Sequence, residues 1–547
     1  MPVQTRMRNG GDLLVALMDD LGVTAAFGLV SVHNLPLVDA VSYAHRFVPV
    51  RHEAAAVNAA DGFSRATAQL GIAITSTGTG AGNAAGALVE ALSAGSAVLH
   101  ITGQVPSGHT AINKGFIHQT KDQAGMLRAV SKAVITIDDA GSAGAALARA
   151  AEIALTVPCG PVSVEWPIDL QYAVPSGNAY PVAVPATTSH VEGDLDRAVA
   201  LLQAAERPLI WAGGGAREAG PQLQALLTRT RAGLLTSNAG RGVVEEGHSA
   251  CVGNFASSDA GAALLAESDL LLSIGTHFRS NETRDYELRL PRPHVQVDLD
   301  AEALGRAYPT DVALVGDAAA ILDQILQRLA HRTATADEWL TRVAQARRVA
   351  RHSLRAAIGA QWEICSAIRK LVPLDAVIAR DVTIASSSWG NRLLSVSGPH
   401  TNIFPRGGGI GQGLAMAIGA AVGRPHVPTV LMVGDGGLAV HLGELFTLKQ
   451  ESPWVVGVLF DDGGYGVLRN AEDAAFGRRS GVDLATPDFG GVLEASGIPH
   501  WSVGDAVGFE SAFAEAVSVH GPVFVVVDLA EFGQMPEPFI PPVRLGL

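Results

Sequence analysis

The sequence predicts an α/β protein made of three doubly wound parallel-sheet domains, and three observations carry that prediction. Short apolar runs alternate with longer Ala/Leu-rich helical patterns along the chain, the signature of parallel strands joined by crossover helices. The 547 residues exceed what one hydrophobic core holds, at roughly 100–200 residues per domain. Two compositional breaks divide the chain into blocks spanning 1–175, 190–335 and 360–535.

In the first block "VTAAFGL", "LGIAITST", "SAVLHIT" and "GPVSVEWP" read as strands, with helical stretches between them. The segment "QYAVPSGNAYPVAVPATTSH" that follows is rich in Pro, Ser and Ala and reads as a linker. The second block runs from "ERPLIWAGGGA" through "LLLSIGTHF" and "HVQVDLD" to "ILDQILQRLA" and is again α/β. A charged helical stretch, "DEWLTRVAQARRVARHSLRAA", leads to the third, which holds "AVIARDV", "TNIFPRGGGIGQG", "VPTVLMVGDGG", "WVVGVLFDDGGYGVL" and "GPVFVVVDL". A "GPV" run opens a late strand in both the first block (Gly160) and the third (Gly521). That pattern suggests two related domains around a different middle one.

Composition narrows the function. The formal net charge is -14 and no Lys/Arg cluster forms a nucleic-acid footprint, so none is expected as a partner. No run of about 18 apolar residues predicts a membrane span. The N-terminus has no signal-like apolar core, which predicts a cytoplasmic protein. Cys159, Cys251 and Cys365 lie far apart, giving neither a metal pattern nor a disulfide framework. A mean hydropathy of +0.24 predicts apolar surface buried between subunits.

The chemistry concentrates in the third block. "VPTVLMVGDGG" is a buried-strand run ending in Gly434-Asp435-Gly436, and a helix is predicted over Ala439–Gln450. The next strand, in "WVVGVLFDDGGYGVL", ends at Asp461-Asp462. Asp435 and Asp462 are 27 positions apart, about one βαβ unit. Both then sit at the carboxyl ends of neighbouring strands, roughly 4.8 Å apart, where open α/β sheets bind ligands. Two carboxylates so placed suit Mg2+, which fills its other positions with water and phosphate. Gly436 and Gly437 offer backbone N–H groups to a phosphate. The glycines after Asp462 let the chain turn back so that a carbonyl, that of Gly464 foremost, also faces the metal. Two unrelated turns with solvated aspartates are the plainer alternative, and the joint spacing argues against it.

"GDG", 24 residues and then "DDGGYGVLR" resemble the thiamine diphosphate motif of the benzoylformate decarboxylase and acetolactate synthase superfamily. The resemblance spans nearly the whole chain. It implies pyrimidine-binding, central and diphosphate-binding domains in that order. It also implies that Asp435, Asp462 and the Gly464 carbonyl hold Mg2+ on the cofactor's diphosphate, with Gly434, Gly436, Gly437, Tyr465 and Gly466 around it. The family pair is often Asn-Asn; here it is Asp-Asp, which changes the charge of the site and leaves Asp461 without an assigned role. "RHE" carries Glu53, which the resemblance sets against a ring nitrogen of the cofactor's aminopyrimidine, where a shared proton favours the imino tautomer that generates the ylid. A helix-start Glu favoured by the dipole is the alternative for Glu53 taken alone. "FPRGGGIGQGL" brings Gly409 and places Ile410 where the family carries a bulky residue under the bent cofactor, and Thr383 falls near diphosphate-contacting positions. "STGTGAGN" (Ser76–Asn83) and "HITGQVP" (His100–Pro106) resemble further family turns. The resemblance also implies a homodimer or homotetramer with active sites at subunit interfaces.

The same resemblance implies a 2-oxo acid substrate, carbon dioxide release and an enamine, then protonation to an aldehyde. An acetolactate synthase-like carboligase or carbon–carbon lyase is the runner-up. His33, His118 and Gln119 are the candidate proton donors or carboxylate-binding groups, each with a capping or surface role as its alternative. Val32 is apolar where relatives carry a polar catalytic residue, and Ser76 stands where benzoylformate decarboxylase has a catalytic His. The middle block lacks the "RFDDR" run of flavin-holding synthases, so FAD is not expected, and no acyl-CoA pattern is present. A dinucleotide-dependent oxidoreductase is disfavoured because no glycine run has the right spacing and trailing acid. A non-catalytic thiamine diphosphate-binding protein is disfavoured by Glu53.

Overall fold

The computed structural model describes residues 8–110, 112, 114–175, 180–183, 191–330 and 337–541. Part of the predicted Pro/Ser/Ala linker lies outside the described residues. Three separate sheets form, of six, seven and six strands. In the first the order is Arg46–Pro49, Ala25–Gly28, Gly71–Thr75, Val98–Gln104, Val162–Pro167, Ala133–Thr136, all parallel. In the third it is Asn402–Ile403, Val377–Arg380, Thr429–Gly434, Val455–Asp461, Val523–Asp528, His500–Val503, again all parallel. Counted within each block, the two orders are the same. The middle sheet differs: it is parallel apart from an antiparallel edge strand, Glu192–Gly193. The central strands of all three are buried, largely apolar runs, as sheets covered on both faces require, while edge strands such as Arg46–Pro49, Glu192–Gly193 and His500–Val503 are partly exposed.

The first and third sheets share one apolar core, which runs from Leu13 to Val526. Two helices join them, Glu53–Thr67 and Gly413–Gly423. Both are rich in Ala and Gly and are buried along almost their whole length. Small side chains let the backbones approach closely. A Cβ on Gly62 would stand 2.1 Å from the Met416 carbonyl oxygen, and one on Gly419 would stand 1.8 Å from that of Ala59.

A buried ion network locks the loop before the second of these helices. Arg65 pairs with Asp61 at 2.7 Å and Glu90 at 2.8 Å, and its Nη1 donates to the Phe404 carbonyl at 2.6 Å. Glu90 in turn accepts the backbone N–H groups of Arg406 and Gly407, both at 2.6 Å. Removing one partner of such a buried set leaves an uncompensated charge. The segment that leads to Ile410 is thereby fixed.

One local expectation is corrected. The single helix predicted over Ala439–Gln450 is two pieces, Asp435–Val440 and Glu444–Glu451. His441, at φ -124° and ψ 43°, leaves the helical region and breaks the run. No described helix is long and apolar enough to cross a membrane.

Candidate active site

The strand Thr429–Gly434 pairs with Val455–Asp461 in register, with Gly434 opposite Phe460. Asp435 and Asp462 therefore leave adjacent strand ends at the same level, as the spacing predicts. Asp435 opens a helix and is 1% exposed. Its Oδ2 and the Oδ1 of Asp462 are buried oxygens without a hydrogen-bond partner. Burial, and then the neighbouring Asp462, push the Asp435 carboxyl up to about 6. Burial raises Asp462 as well, against the opposing pull of Arg469.

The backbone around the pair is shaped by glycine. Gly463 and Gly464 have φ of +79° and +147°, turning the chain back after Asp462. The Gly464 carbonyl oxygen lies 3.2 Å from the place a Cβ on Gly436 would occupy, and the Tyr465 ring closes the same space at 2.8 Å. A Cβ on Gly466 would strike Asp462 Oδ2 at 2.1 Å. Thr383 is buried, accepts the Ser386 N–H at 3.1 Å and sets its methyl 3.5 Å from a Cβ built on Gly434.

No cluster of three or more His, Cys, Asp or Glu side chains forms a metal site among the described residues. Two orphaned carboxylate oxygens beside a carbonyl are a hard-oxygen donor set that leaves positions open for phosphate and water. That set fits Mg2+ on a diphosphate. Asp461 stands apart. It pairs in register with Asp528, and burial together with Asp528 and Asp488 raises its carboxyl, with the Gly463 N–H as counterweight.

Sequence reasoning missed Asp381. It is fully buried and accepts backbone N–H groups from Val382 at 2.7 Å, Gly411 at 3.1 Å and Gly413 at 2.7 Å. Burial nonetheless pushes it up to about 6. Its Oδ1 lies 3.1 Å from a Cβ built on Gly437, so Asp381 holds the Ile410 loop and packs against the helix that Asp435 opens. An acid directly after the strand in "AVIARDV" was the available signal. Gly409 packs on Gln412, and Ile410 is 38% exposed beside Gly411, whose φ of +81° aims the turn at Val440.

The first block gathers the remaining candidates. Glu53 opens its helix and is 6% exposed. Its Oε2 accepts from Asn83 Nδ2 at 3.0 Å. Its Oε1 and the Ser76 Cβ flank Gly80, 2.8 and 2.7 Å from a Cβ built there. Gln123 fastens this turn, accepting the Gly78 N–H at 2.7 Å and donating to Glu165 at 3.0 Å. His33 is buried with both ring nitrogens unpartnered, and its ring lies 5.3 Å from that of the exposed His118. Burial, then His118, lowers its pKa, so it is neutral near pH 7. Gln119 is spent on its own loop: Nε2 donates to the carbonyls of His109 and Ile112 at 3.0 and 3.3 Å. Val32 is 61% exposed and Ile117 65%.

Within one chain the two blocks meet beside these groups: the Arg51 N–H donates to Glu444 at 2.9 Å, and the His52 and His441 rings lie 5.2 Å apart. No hydrogen bond or ion pair among the described residues joins Glu53, Ser76 or Asn83 to Asp435, Asp462 or Gly464. The cavities of about 370 Å³ beside Trp454 and about 640 Å³ beside Trp362 are lined by none of these residues.

Three family models match, described as the N-terminal binding domain (residues 8–126), central domain (195–325) and C-terminal binding domain (384–527) of thiamine pyrophosphate enzymes. The chain is 31% identical over 503 residues to a probable 2-ketoarginine decarboxylase of Pseudomonas aeruginosa, covering 89% of this chain and 88% of that one. It is 28% identical to a probable acetolactate synthase large subunit of Methanocaldococcus jannaschii, covering 97% and 93%. It is 28% identical to an acetolactate synthase isozyme 2 large subunit of Escherichia coli, covering 98% of each.

Proposed function

This chain belongs to the thiamine pyrophosphate-dependent enzymes of the 2-oxo acid decarboxylase and acetolactate synthase-like superfamily, and from that premise we propose that it decarboxylates a 2-oxo acid to an aldehyde. When bound, the cofactor supplies the electron sink for carbon dioxide loss. Asp435, Asp462 and the Gly464 carbonyl would hold Mg2+ and, through it, the diphosphate. The N–H groups of Gly436 and Gly437 would meet the phosphate oxygens at the helix start. Thr383, Gly409, Tyr465 and Gly466 would shape the walls around the cofactor, and Ile410 would offer it apolar support. Glu53 would share a proton with the aminopyrimidine, its free Oε1 doing so while Asn83 orients Oε2.

The observation that carries the decarboxylase reading is the His33–His118 pair. A buried imidazole with no partner, set against a second, exposed imidazole, is suited to relay a proton from the solvent side to the carbon that loses carboxylate. Gln119, the third candidate, is committed to its own loop.

A homodimer, or a dimer of dimers, with each site completed by a second copy is the assembly this reading takes. The exposed Val32 and Ile117, which flank the histidines, support the same reading. Three free cysteines support a reducing, cytoplasmic setting.

A panel of 2-oxo acids tests the reaction, with carbon dioxide release and product identity followed together. It should include guanidino-bearing, aliphatic and aromatic side chains. An aldehyde matching carbon dioxide one to one is expected. A condensed hydroxy acid as the main product would move the assignment to carboligation.

A further inference from the structure

We propose that Arg469 is the counter-charge of the cation site, a positioning residue that lets an aspartate stand at position 462. The inference rests on the reading of Asp435 and Asp462 as the magnesium-holding pair.

The helix Gly466–Phe476 starts directly after the turn, and Arg469 reaches back into that turn. Its Nη1 donates to the Asp462 carbonyl at 3.1 Å and lies 3.7 Å from Asp462 Oδ1. Its Nε donates to Asp483 at 2.7 Å. The Arg469 and Asp462 side chains are only 15% and 20% exposed, so solvent screens their interaction incompletely.

Asp483 belongs to a strap laid over the turn. The Tyr465 N–H donates to the Val482 carbonyl at 2.9 Å, and the Leu484 N–H donates to that of Gly463 at 3.1 Å. A Cβ on Gly464 would stand 2.3 Å from the Val482 carbonyl oxygen, so only glycine admits the strap. Arg479 also reaches Asp483, at 3.7 Å. Arg479 is held mainly by Asp473, at 2.8 Å. The Asp483 side chain is 56% exposed, so solvent screens its pull and the charge of Arg469 is left partly for Asp462.

An asparagine at position 462 would present an oxygen ligand with no charge. Aspartate adds a full negative charge beside the place where a diphosphate's own charges would lie, and like charges at that range repel. Asp462 and Arg469 together carry the net charge of one neutral side chain. The planar fork of arginine also grips the turn and Asp483 at once, which a lysine cannot do.

The experiment measures Mg2+ alone, and thiamine diphosphate at saturating Mg2+, by isothermal titration on the full chain. Arg469→Gln should bind Mg2+ alone about tenfold more tightly and the diphosphate about tenfold more weakly, the effect of one unit charge in a partly wet site. Asp462→Asn combined with Arg469→Gln restores the parent's local charge and should return the diphosphate affinity to within about threefold of the parent. Arg469→Lys keeps the charge and should stay near the parent. Asp483→Asn should speed hydrogen exchange in 479–484 while moving diphosphate affinity less than about threefold, separating the strap from the charge. The proposal is overturned if Arg469→Gln weakens both ligands together or changes neither. It is equally overturned if the double variant binds as poorly as Arg469→Gln alone. A parent chain that takes up neither ligand overturns the cofactor reading itself, and this proposal with it.

Discussion

Replacing Asp435 with asparagine should stabilise the metal-free protein and destroy its response to Mg2+. The carboxyl stands at about 6 in the fold against an ordinary 3.8. A shift of about 2 units corresponds to roughly 3 kcal/mol, at 1.36 kcal/mol per unit. The sign follows from linkage. The folded state holds this proton more tightly than the unfolded chain does, so the contribution favours folding fully below pH 3.8. It is lost as pH rises through about 6, where the folded chain carries a buried, unpaired charge. Asp381 titrates in the same range and with the same sign, so the parent's pH profile alone does not isolate Asp435. The difference between parent and Asp435→Asn does. Thermal unfolding of both, in chelator, should show nearly equal midpoints near pH 4. The variant should become the more stable by up to about 3 kcal/mol at pH 7–8. Adding Mg2+ with thiamine diphosphate should raise the parent's midpoint and leave the variant's unchanged. A parent–variant difference that stays flat from pH 4 to 8 would refute the account of Asp435 as a carboxylate held unpaired for a cation.

Other outcomes are equally concrete. Glu53→Gln should retain Mg2+-dependent cofactor binding by titration while losing most turnover; full activity would remove its assigned role. His33→Asn and His118→Asn should each lower kcat by about 10²–10⁴-fold, the usual worth of a positioned proton donor, with cofactor affinity unchanged in the same titration. Gly419→Val forces a branched side chain into the Ala59 backbone and should cost at least about 1–3 kcal/mol by denaturant unfolding; a neutral result would show that the two helices part easily.

The third block was the most legible part of the sequence because its chemistry is local. One βαβ unit fixes the distance between Asp435 and Asp462, and the observed register of Gly434 against Phe460 has the form that spacing demands. The central strands were equally plain, since buried parallel strands are short, unbroken apolar runs; the partly exposed edge strands Arg46–Pro49, Ala133–Thr136 and His500–Val503 lack such a run and escaped. Asp381 escaped because its partners, Gly411 and Gly413, lie some 30 positions away and donate from the backbone, where residue type carries no signal. The clamp of Arg65 on Glu90 and the Phe404 carbonyl is longer in range still. Gln119 is the opposite case. Its side chain is polar and well placed in sequence, yet nearby carbonyls in its own loop claim it, and only coordinates reveal such competition.

The repeated strand order has a consequence for how the molecule works. In both outer blocks the third strand of the local count carries the key turn: Gly71–Thr75 runs into Ser76, and Thr429–Gly434 runs into Asp435. In both, the helix after the second local strand forms the contact between blocks, and that contact is reciprocal, Gly62 on Met416 and Gly419 on Ala59. The two outer blocks of the chain are thus twins in strand order and in the helix each gives to the contact. One twin has furnished its crevice with neutral hydrogen-bonding groups and a single acid, the other with paired carboxylates. A ligand with an aromatic end and an anionic end would suit this division, one end to each twin.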